Sequence, residues 1–308
     1  MIPSYIPLYE SGELARRAAQ AQAMLARCEL CPHRCRVDRL AGELGRCRSG
    51  ALPRVASWNL HWREEPPISG TRASGTIFFS GCTGRCRFCQ NYPISQLGVG
   101  QEVSVERLAE MMLELQRKGA HNINLVTPTH FVAAILAALP FAIRGGLRLP
   151  LLYNSSGYER VETLRLLDRV IDIWLPDAKY ADDEIARRLS GFPGYAAHNR
   201  AALQEMYRQV GDELALDEQG IAQRGIIVRH LVLPDGLAGT AQVMTWIAAH
   251  LSPNVHISLM SQYFAAFQCV GDPILGRKIT PKEYQAAFDA LDAAGLENGW
   301  VQEFEETS

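Results

Sequence analysis

The stretch Thr76-Ile-Phe-Phe-Ser80-Gly-Cys82-Thr-Gly-Arg-Cys86-Arg-Phe-Cys89 sets three closely spaced cysteines directly after a short apolar run. The three cysteines have the spacing C-x3-C-x2-C. They are one ligand short of a closed zinc site or of a four-thiolate iron–sulfur cubane. Three thiolates on one tight loop can hold a [4Fe–4S] cluster by three corners and leave the fourth iron open to a small molecule. The spacing favours such a site over a zinc clip or three unrelated buried thiols.

The composition agrees with a soluble enzyme. With 47% of its 308 residues hydrophobic, the chain can bury one large core, or one core plus a small appendage. The formal net charge is −2, so we expect no nucleic-acid partner. We also expect no membrane partner, because the sequence has no signal-peptide pattern and no apolar run of membrane-spanning length. Most of the eight cysteines stand at ligand spacings, which indicates metal binding in a reducing compartment and predicts a cytoplasmic protein.

From Ser74 onward, short β-branched or aromatic runs alternate with amphipathic stretches of helical length, a pattern typical of repeated βα units and a parallel sheet. Six strands are predicted, at residues 76–80, 122–127, 150–154, 172–176, 225–233 and 255–260. Helices are predicted at residues 11–27, 104–118, 129–139, 159–167, 181–189, 198–210, 237–250 and 281–293. This pattern fits an open doubly wound sheet or an incomplete barrel. In either fold, function collects at the carboxyl ends of the strands, where the cysteine loop begins.

The three-cysteine loop resembles that of the radical S-adenosylmethionine (SAM) enzymes, and the resemblance extends over most of the chain. It implies an α/β fold, a partial (β/α)6 TIM-like barrel of six parallel strands. It also implies that SAM chelates the open iron and is cleaved reductively to a 5′-deoxyadenosyl radical, which abstracts hydrogen from the substrate. Such an enzyme needs an external electron donor of the flavodoxin or ferredoxin type.

A closer resemblance is to the activating enzymes of pyruvate formate-lyase, and among them to relatives of the PflX type. The residues that carry it are Glu64-Glu-Pro-Pro-Ile-Ser-Gly70 before the first strand, the run into Cys82, and Cys89-Gln-Asn-Tyr-Pro-Ile-Ser-Gln96. The resemblance implies a protein or peptide substrate and, more specifically, activation of a glycyl-radical enzyme. Two alternatives stay open: a radical SAM enzyme acting on a small molecule or unrelated peptide, and a non-enzymatic iron–sulfur or zinc protein that binds nucleic acid.

One departure from the superfamily pattern follows the second predicted strand. The superfamily usually carries a Gly-Gly-Glu run there, whose backbone and acid contact the amino group of SAM. Here the run reads Thr127-Pro-Thr-His130, without an acid. Thr127 and His130 are candidate SAM contacts, although His130 could instead be a helix-start residue beside an N-cap threonine.

Polar residues at later strand ends complete the predicted SAM pocket. Asn154 and Ser155 could bind a carboxylate or ribose, or could simply cap a strand-to-helix turn. Asp177 and Lys179 match an Asp-x-Lys run of the activating enzymes and point the same way along an extended chain. They could order SAM, a cation or the substrate backbone, or could form a structural ion pair at the barrel rim. Arg229 lies in an apolar strand and needs a partner, either a carboxylate of SAM or an acid on a neighbouring strand.

Four further cysteines stand near the N-terminus with the spacing C-x2-C-x3-C-x11-C. Four thiolates can close a small metal-binding knuckle, and either structural zinc or an auxiliary (second) Fe–S cluster would suit them. These ligands are Cys28, Cys31, Cys35 and Cys47. We therefore predict two domains: an N-terminal helix with the knuckle at residues 1–70, and the barrel with a C-terminal helix at residues 71–308.

Overall fold

The computed structural model describes residues 2–304. The strands in this part of the chain are β1 (Arg54–His61), β2 (Ser74–Phe79), β3 (Gln101–Glu102), β4 (Ile123–Val126), β5 (Leu151–Ser155), β6 (Ile173–Pro176), β7 (Ala215–Leu216), β8 (Ala222–Leu231), β9 (His256–Met260) and β10 (Gly299–Val301). The α-helices are α1 (Tyr5–Glu10), α2 (Glu13–Ala23), α3 (Pro66–Ser69), α4 (Tyr92–Ser95), α5 (Val105–Arg117), α6 (Val132–Arg144), α7 (Val161–Leu166), α8 (Asp183–Ser190), α9 (Tyr195–Val210), α10 (Thr240–His250) and α11 (Pro281–Ala293).

The strands form one sheet in the order β10-β9-β8-β6-β5-β4-β2-β1-β3, and β7 pairs with β8. All six predicted strands are present as β2, β4, β5, β6, β8 and β9, each parallel to its neighbour in chain order. The sheet path of the described residues ends at β10 and β3 without closing. The predicted partial barrel of parallel strands, with a cysteine-rich N-terminal region, is confirmed.

Four strands were not predicted from the sequence. A three-residue parallel strand, β10, extends one edge of the sheet, and the antiparallel pair of β1 and β3 extends the other. The short β7 pairs antiparallel with β8. β1 escaped prediction because most of its residues are only partly buried and do not alternate between buried and exposed positions. The other three are too short to show any periodicity.

Helix boundaries follow capping chemistry. The side chains of Ser104, Asp182 and Thr280 accept hydrogen bonds from backbone N–H groups in the first turns of α5, α8 and α11. The predicted first helix is wrong in extent: Gly12, in the left-handed conformation at a φ of 77°, separates α1 from a shorter α2.

The parallel strands bury two separate apolar faces. Ile77, Leu125 and Tyr153 belong to the large core that also contains the helices. Leu152 and Ile173, at alternate positions, belong to a smaller apolar cluster inside the barrel. Successive side chains on a strand point to opposite faces, so each strand supplies both cores.

The segment before β2 closes the amino-terminal end of the barrel. Ile68, in the short helix α3, is fully buried and packs in the inner cluster against residues of β5, β6 and β8. Its carbonyl accepts a hydrogen bond from Asn122 Nδ2 at 2.9 Å. We call residues 64–70 the plug, because they fill the barrel at this end.

The predicted boundary between domains at residue 70 stays a prediction, and its outer limits, residue 1 and residues 305–308, lie outside the described residues. Within residues 2–304, no helix combines the length and the apolar character needed to cross a membrane.

Replacement of Ile68 by alanine is expected to destabilise the protein by about 2–5 kcal/mol, since it removes fully buried carbon atoms and leaves a cavity. Urea unfolding monitored by circular dichroism measures the loss. The same change at Ile2, which is 73% exposed, should leave the midpoint unchanged. Equal midpoints for the wild type and Ile68→Ala would show that the plug does not support the barrel.

Candidate active site

A cavity of about 670 Å³ opens inside the barrel at the carboxyl ends of the strands. Its volume is that of a site for a small organic molecule or cofactor. Inward-facing side chains of the strands and side chains of the three-cysteine loop line it together, among them Phe78, Cys86, Cys89, Val126, Asn154, Asp177, Lys179, Arg229, Ser258 and Met260. The cysteine loop and the predicted SAM pocket therefore meet in one space.

Two glycines allow close packing of the cysteine loop. Gly81, directly after β2, has a φ of 80°, and a Cβ atom there would lie 2.7 Å from the carbonyl oxygen of Cys47. A Cβ on Gly84 would lie 2.6 Å from Cζ of Phe192. Larger residues at either position would force the loop away from the segments beneath it.

The end of α8 holds the same loop through its backbone. The amides of Arg85 and Arg87 donate to the carbonyls of Ser190 and Leu189 at 2.7 and 2.8 Å. The last carbonyls of a helix lack partners within the helix. The loop supplies those partners, so its position is fixed by the helix end.

Two of the three thiols of the loop carry hydrogen bonds suited to thiolate ligands. The Gly84 N–H donates to Cys82 Sγ at 3.3 Å, and Cys89 Sγ lies 3.1 Å from Ser95 Oγ. Burial raises the pKa of the Cys82 thiol to about 12 and also raises that of Cys86. Metal binding must therefore displace protons from these thiols.

The donor set of the cysteine loop fits a cubane. No group of three His, Cys, Asp or Glu side chains in residues 2–304 converges tightly enough to hold one metal ion. Yet the thiols of Cys82, Cys86 and Cys89 lie close enough to influence one another electrostatically. A [4Fe–4S] cluster spreads its ligands over separate iron atoms, so three soft donors arranged in this way fit it.

Four predicted pocket residues form a partly buried network across the cavity. Lys179 Nζ lies 2.6 Å from Asp177 Oδ2, and Arg229 Nε donates to Asp177 Oδ1 at 3.0 Å. Arg229 Nη2 donates to Asn154 Oδ1 at 2.6 Å. Burial opposes ionisation of Asp177, but Arg229 and Lys179 together hold its pKa below the ordinary value. The ion pairs that were the structural alternative are thus present, and they face the cavity.

Two other candidates, Thr127 and His130, do not line the cavity. Thr127 adopts a left-handed conformation with a φ of 59°, and its N–H donates to the Asn154 carbonyl at 2.9 Å. Burial lowers the pKa of His130 to about 3, and its Nε2 donates to the Ser80 carbonyl at 2.9 Å. His130 therefore supports the end of β2, and a SAM contact by either residue stays a prediction.

Ser155 faces away from the cavity because it directly follows the inward-facing Asn154 on the same strand. It lies on the outer face beside the carboxyl group of Glu159. Thr129 Oγ1 donates to one oxygen of that group at 2.6 Å, and the Tyr153 hydroxyl lies 3.4 Å from the other. Burial raises the pKa of Glu159 to about 7. The structure thus gives Ser155 an outward position, and its role at SAM stays a prediction.

Sequence reasoning missed two acids in the cavity, Glu64 and Glu65 of the plug. Glu64 Oε1 accepts from Asn124 Nδ2 at 3.1 Å, and Glu64 Oε2 lies 3.7 Å from Arg229 Nη1. Burial, opposed by Arg229, raises the pKa of Glu64 to about 7. The available signal was a pair of adjacent acids before two prolines.

The four N-terminal thiols lie within electrostatic reach of one another around Cys31. The Arg46 N–H donates to Cys35 Sγ at 3.2 Å, and Arg39 Nη1 lies 3.8 Å from Cys28 Sγ. They do not converge on one point as a closed zinc site requires. Zinc or a second cluster in this knuckle therefore stays a prediction.

The knuckle contacts the cysteine loop directly. His33, between the second and third knuckle cysteines, donates from Nε2 to the Thr83 carbonyl at 2.8 Å. Arg85 of the loop donates in turn to the Arg46 carbonyl of the knuckle. The loop thus lies between the knuckle on one side and the end of α8 on the other.

We expect His33→Ala to free the cysteine loop locally. Loss of one hydrogen bond, worth about 1 kcal/mol, should raise the population of the open loop roughly fivefold. Trypsin cleavage after Arg85 or Arg87, quantified by mass spectrometry, reports this opening. His250→Ala, at an exposed site, serves as the control. Equal cleavage rates in His33→Ala and wild type would contradict a supporting role for the knuckle.

Glu159 is expected to make stability fall as pH rises. The folded protein keeps its proton up to about pH 7, whereas the unfolded chain releases it near the ordinary value of 4.5. The free energy of unfolding should therefore decrease between pH 5 and 8, by up to about 3 kcal/mol from this group. Urea unfolding of Glu159→Gln at both pH values should show a smaller decrease than wild type or Glu110→Gln. An unchanged decrease would mean that Glu159 is already ionised at pH 5.

Residues 76–211 match the radical SAM superfamily. This stretch begins in β2 and includes the cysteine loop, Asn154, Asp177 and Lys179. The uncharacterized protein MJ0674 of Methanocaldococcus jannaschii is 28% identical over 287 residues, which cover 90% of this chain and 78% of that protein.

Two structures of the FeFe-hydrogenase maturase HydG are similar in fold. One is 13% identical with a TM-score of 0.51, over 79% of this chain and 54% of that chain. The other, from Carboxydothermus hydrogenoformans, is 14% identical with a TM-score of 0.49, over 71% and 50%. This chain spans about half the length of those maturase chains, and the first likeness supports a shared fold. The family match shows that residues 76–211, which include the three-cysteine loop, carry a radical SAM domain.

Proposed function

We propose that this protein cleaves SAM reductively and uses the resulting 5′-deoxyadenosyl radical to abstract hydrogen from a protein or peptide substrate. The observation that carries the proposal is the shared cavity. Cys86 and Cys89 of the cysteine loop line the same cavity as Asn154, Asp177 and Arg229. A ligand held by those strand-end residues would lie against the cysteine loop.

Cys82, Cys86 and Cys89 would hold the cluster, which together with bound SAM supplies the one-electron chemistry. The strand-end residues would bind and orient the ligand in the cavity. Arg229 donates from Nε to Asp177 and from Nη2 to Asn154, and its Nη1 lies 3.7 Å from Glu64 Oε2. That N–H group is a donor suited to a ligand carboxylate.

The plug and the inner apolar cluster exclude water from the far end of the cavity. Ile68 seals the amino-terminal end of the barrel. A reactive radical needs such a closed environment, because a water-filled space would allow side reactions. The open end, beside the cysteine loop, is the side from which a substrate would enter.

The finer proposal is that the substrate is a glycyl-radical enzyme and that a flavodoxin or ferredoxin of the cytoplasm supplies the electron. Its support is the sequence resemblance around Glu64–Gly70 and Cys89–Gln96 to the activating enzymes. A small-molecule substrate is the second candidate, favoured by the size of the cavity. Loss of a glycyl-radical signal in electron paramagnetic resonance spectra of cells lacking this protein would favour the first; an unchanged signal would favour the second.

Release of 5′-deoxyadenosine from SAM tests the central proposal. The protein is reconstituted anaerobically with iron and sulfide, then given SAM and a strong reductant, and the product is quantified by chromatography. Cys86→Ala should abolish release, because two thiolates cannot hold the cluster, whereas Cys269→Ala should retain it. Cys269 is a fully buried core residue outside the cavity. Equal release by Cys86→Ala and wild type would exclude the assigned ligand set.

A further inference from the structure

A second, smaller pocket of about 100 Å³ lies behind the cysteine loop and shares no lining residue with the central cavity. The stretches that line this rear pocket include residues 48–50, 80–81 and 95–98. Gly81 directly precedes Cys82, and Ser95 Oγ lies 3.1 Å from Cys89 Sγ. The rear pocket thus reaches the loop from the side of the knuckle and touches a residue that contacts a cluster ligand.

Three arginines without a salt bridge lie together at the rear pocket. Arg48 and Arg85 line it. Burial, together with the charges of Arg46 and Arg48, lowers the pKa of Arg85, so the three guanidinium groups are close to one another. Within residues 2–304, none of the three pairs with a carboxylate. Glu102, the acid among the lining residues, pairs with Arg54. We call Arg46, Arg48 and Arg85 the arginine patch.

Apolar side chains stand exposed beside the arginine patch. Leu52 and Leu97 both line the rear pocket, and they are 49% and 65% exposed. A small anion bound to the arginines would leave these leucines in water, whereas a protein surface would cover them. Arginine is also enriched in protein interfaces. This face therefore fits a protein partner, and the unpaired arginines require that its surface be acidic.

We infer that the arginine patch docks an acidic protein, the one-electron donor of the reaction. A substrate must reach the central cavity, whereas a donor needs only a close approach to the cluster and would block the cavity if it entered. The rear pocket gives that approach through Ser95 and its contact with Cys89. A carboxylate of the donor would enter the pocket between Arg48 and Arg85.

This inference rests on the proposed function and adds the place where its electron donor binds. The docked donor, a flavin or iron–sulfur protein in its reduced form, would give one electron to the cluster and be oxidised by one electron. No bond would form or break in that step. The cavity would stay free for SAM and the substrate, because the rear pocket and the cavity have no lining residue in common.

Binding of an acidic flavodoxin to the reconstituted, cluster-containing protein tests this inference. Isothermal titration at low and at high salt gives the affinities of wild type, Arg48→Glu and the double variant Arg46→Glu/Arg48→Glu. Arg117→Glu, a charge reversal at an exposed site on α5, is the matched control. Arg85 is left unchanged, because its side chain also holds carbonyls of the cysteine loop. Cluster absorbance and circular dichroism show whether each variant is folded, and Arg48→Glu carries the test if the double variant is not.

At low salt, the double variant should bind the flavodoxin at least about tenfold more weakly than wild type, and Arg117→Glu should bind it as wild type does. Added salt should shrink this difference, since it screens the charges on both surfaces. Equal affinities of wild type and the double variant would overturn the inference, and so would absence of binding by the wild type at low salt.

Release of 5′-deoxyadenosine separates docking from the chemistry. With dithionite, a small reductant that needs no docking surface, the double variant should match wild type. With a limiting concentration of reduced flavodoxin, the double variant should release product at least about tenfold more slowly. Equal rates with reduced flavodoxin would overturn the inference. Absent release with either reductant, alongside salt-sensitive binding of the flavodoxin, would count against the proposed function alone.

Discussion

Successive side chains of a β-strand point to opposite faces, and the candidate site depends on this constraint. The inner face of the barrel needs apolar side chains at one end and polar ones at the other. Around β6, Ile173 and Leu175 lie in the inner apolar cluster, and Asp177 occupies the next inward position, in the cavity. The same alternation of side chains that builds the core therefore also places the charged groups in the site. No special local geometry is needed.

The charged groups in turn hold the strands together at that level. Arg229 lies opposite Asp177, just beyond the paired residues of β8 and β6. Its Nε donates to Asp177, and its Nη2 donates to Asn154 near the end of β5. Burial of these ions is costly, and removal of any partner would leave an uncompensated charge in the interior. Lys179 also lies close enough to Cys86 to favour its thiolate. Strand pairing, pocket electrostatics and thiolate stability therefore share the same few side chains.

The sequence is sufficient to predict the six parallel strands and the inward positions of Asn154 and Arg229, because both depend on local periodicity. The same alternation could have placed Ser155 on the outer face. Glu64 is different, since its position in the barrel depends on the plug packing against strands far along the chain, and no periodicity reports such contacts. The docking of His33 on the cysteine loop is likewise a long-range contact between two irregular segments, for which the sequence carries no pattern.

The position of the cysteine loop between two supports has a consequence for the order in which the molecule is made. The knuckle leaves the ribosome before the loop, whereas α8 emerges about a hundred residues after it. The loop can therefore contact His33 and Arg46 on the nascent chain. Its hydrogen bonds to the carbonyls of Leu189 and Ser190 form only after α8 has been synthesised. In synthesis, the knuckle therefore supports the loop before α8 does.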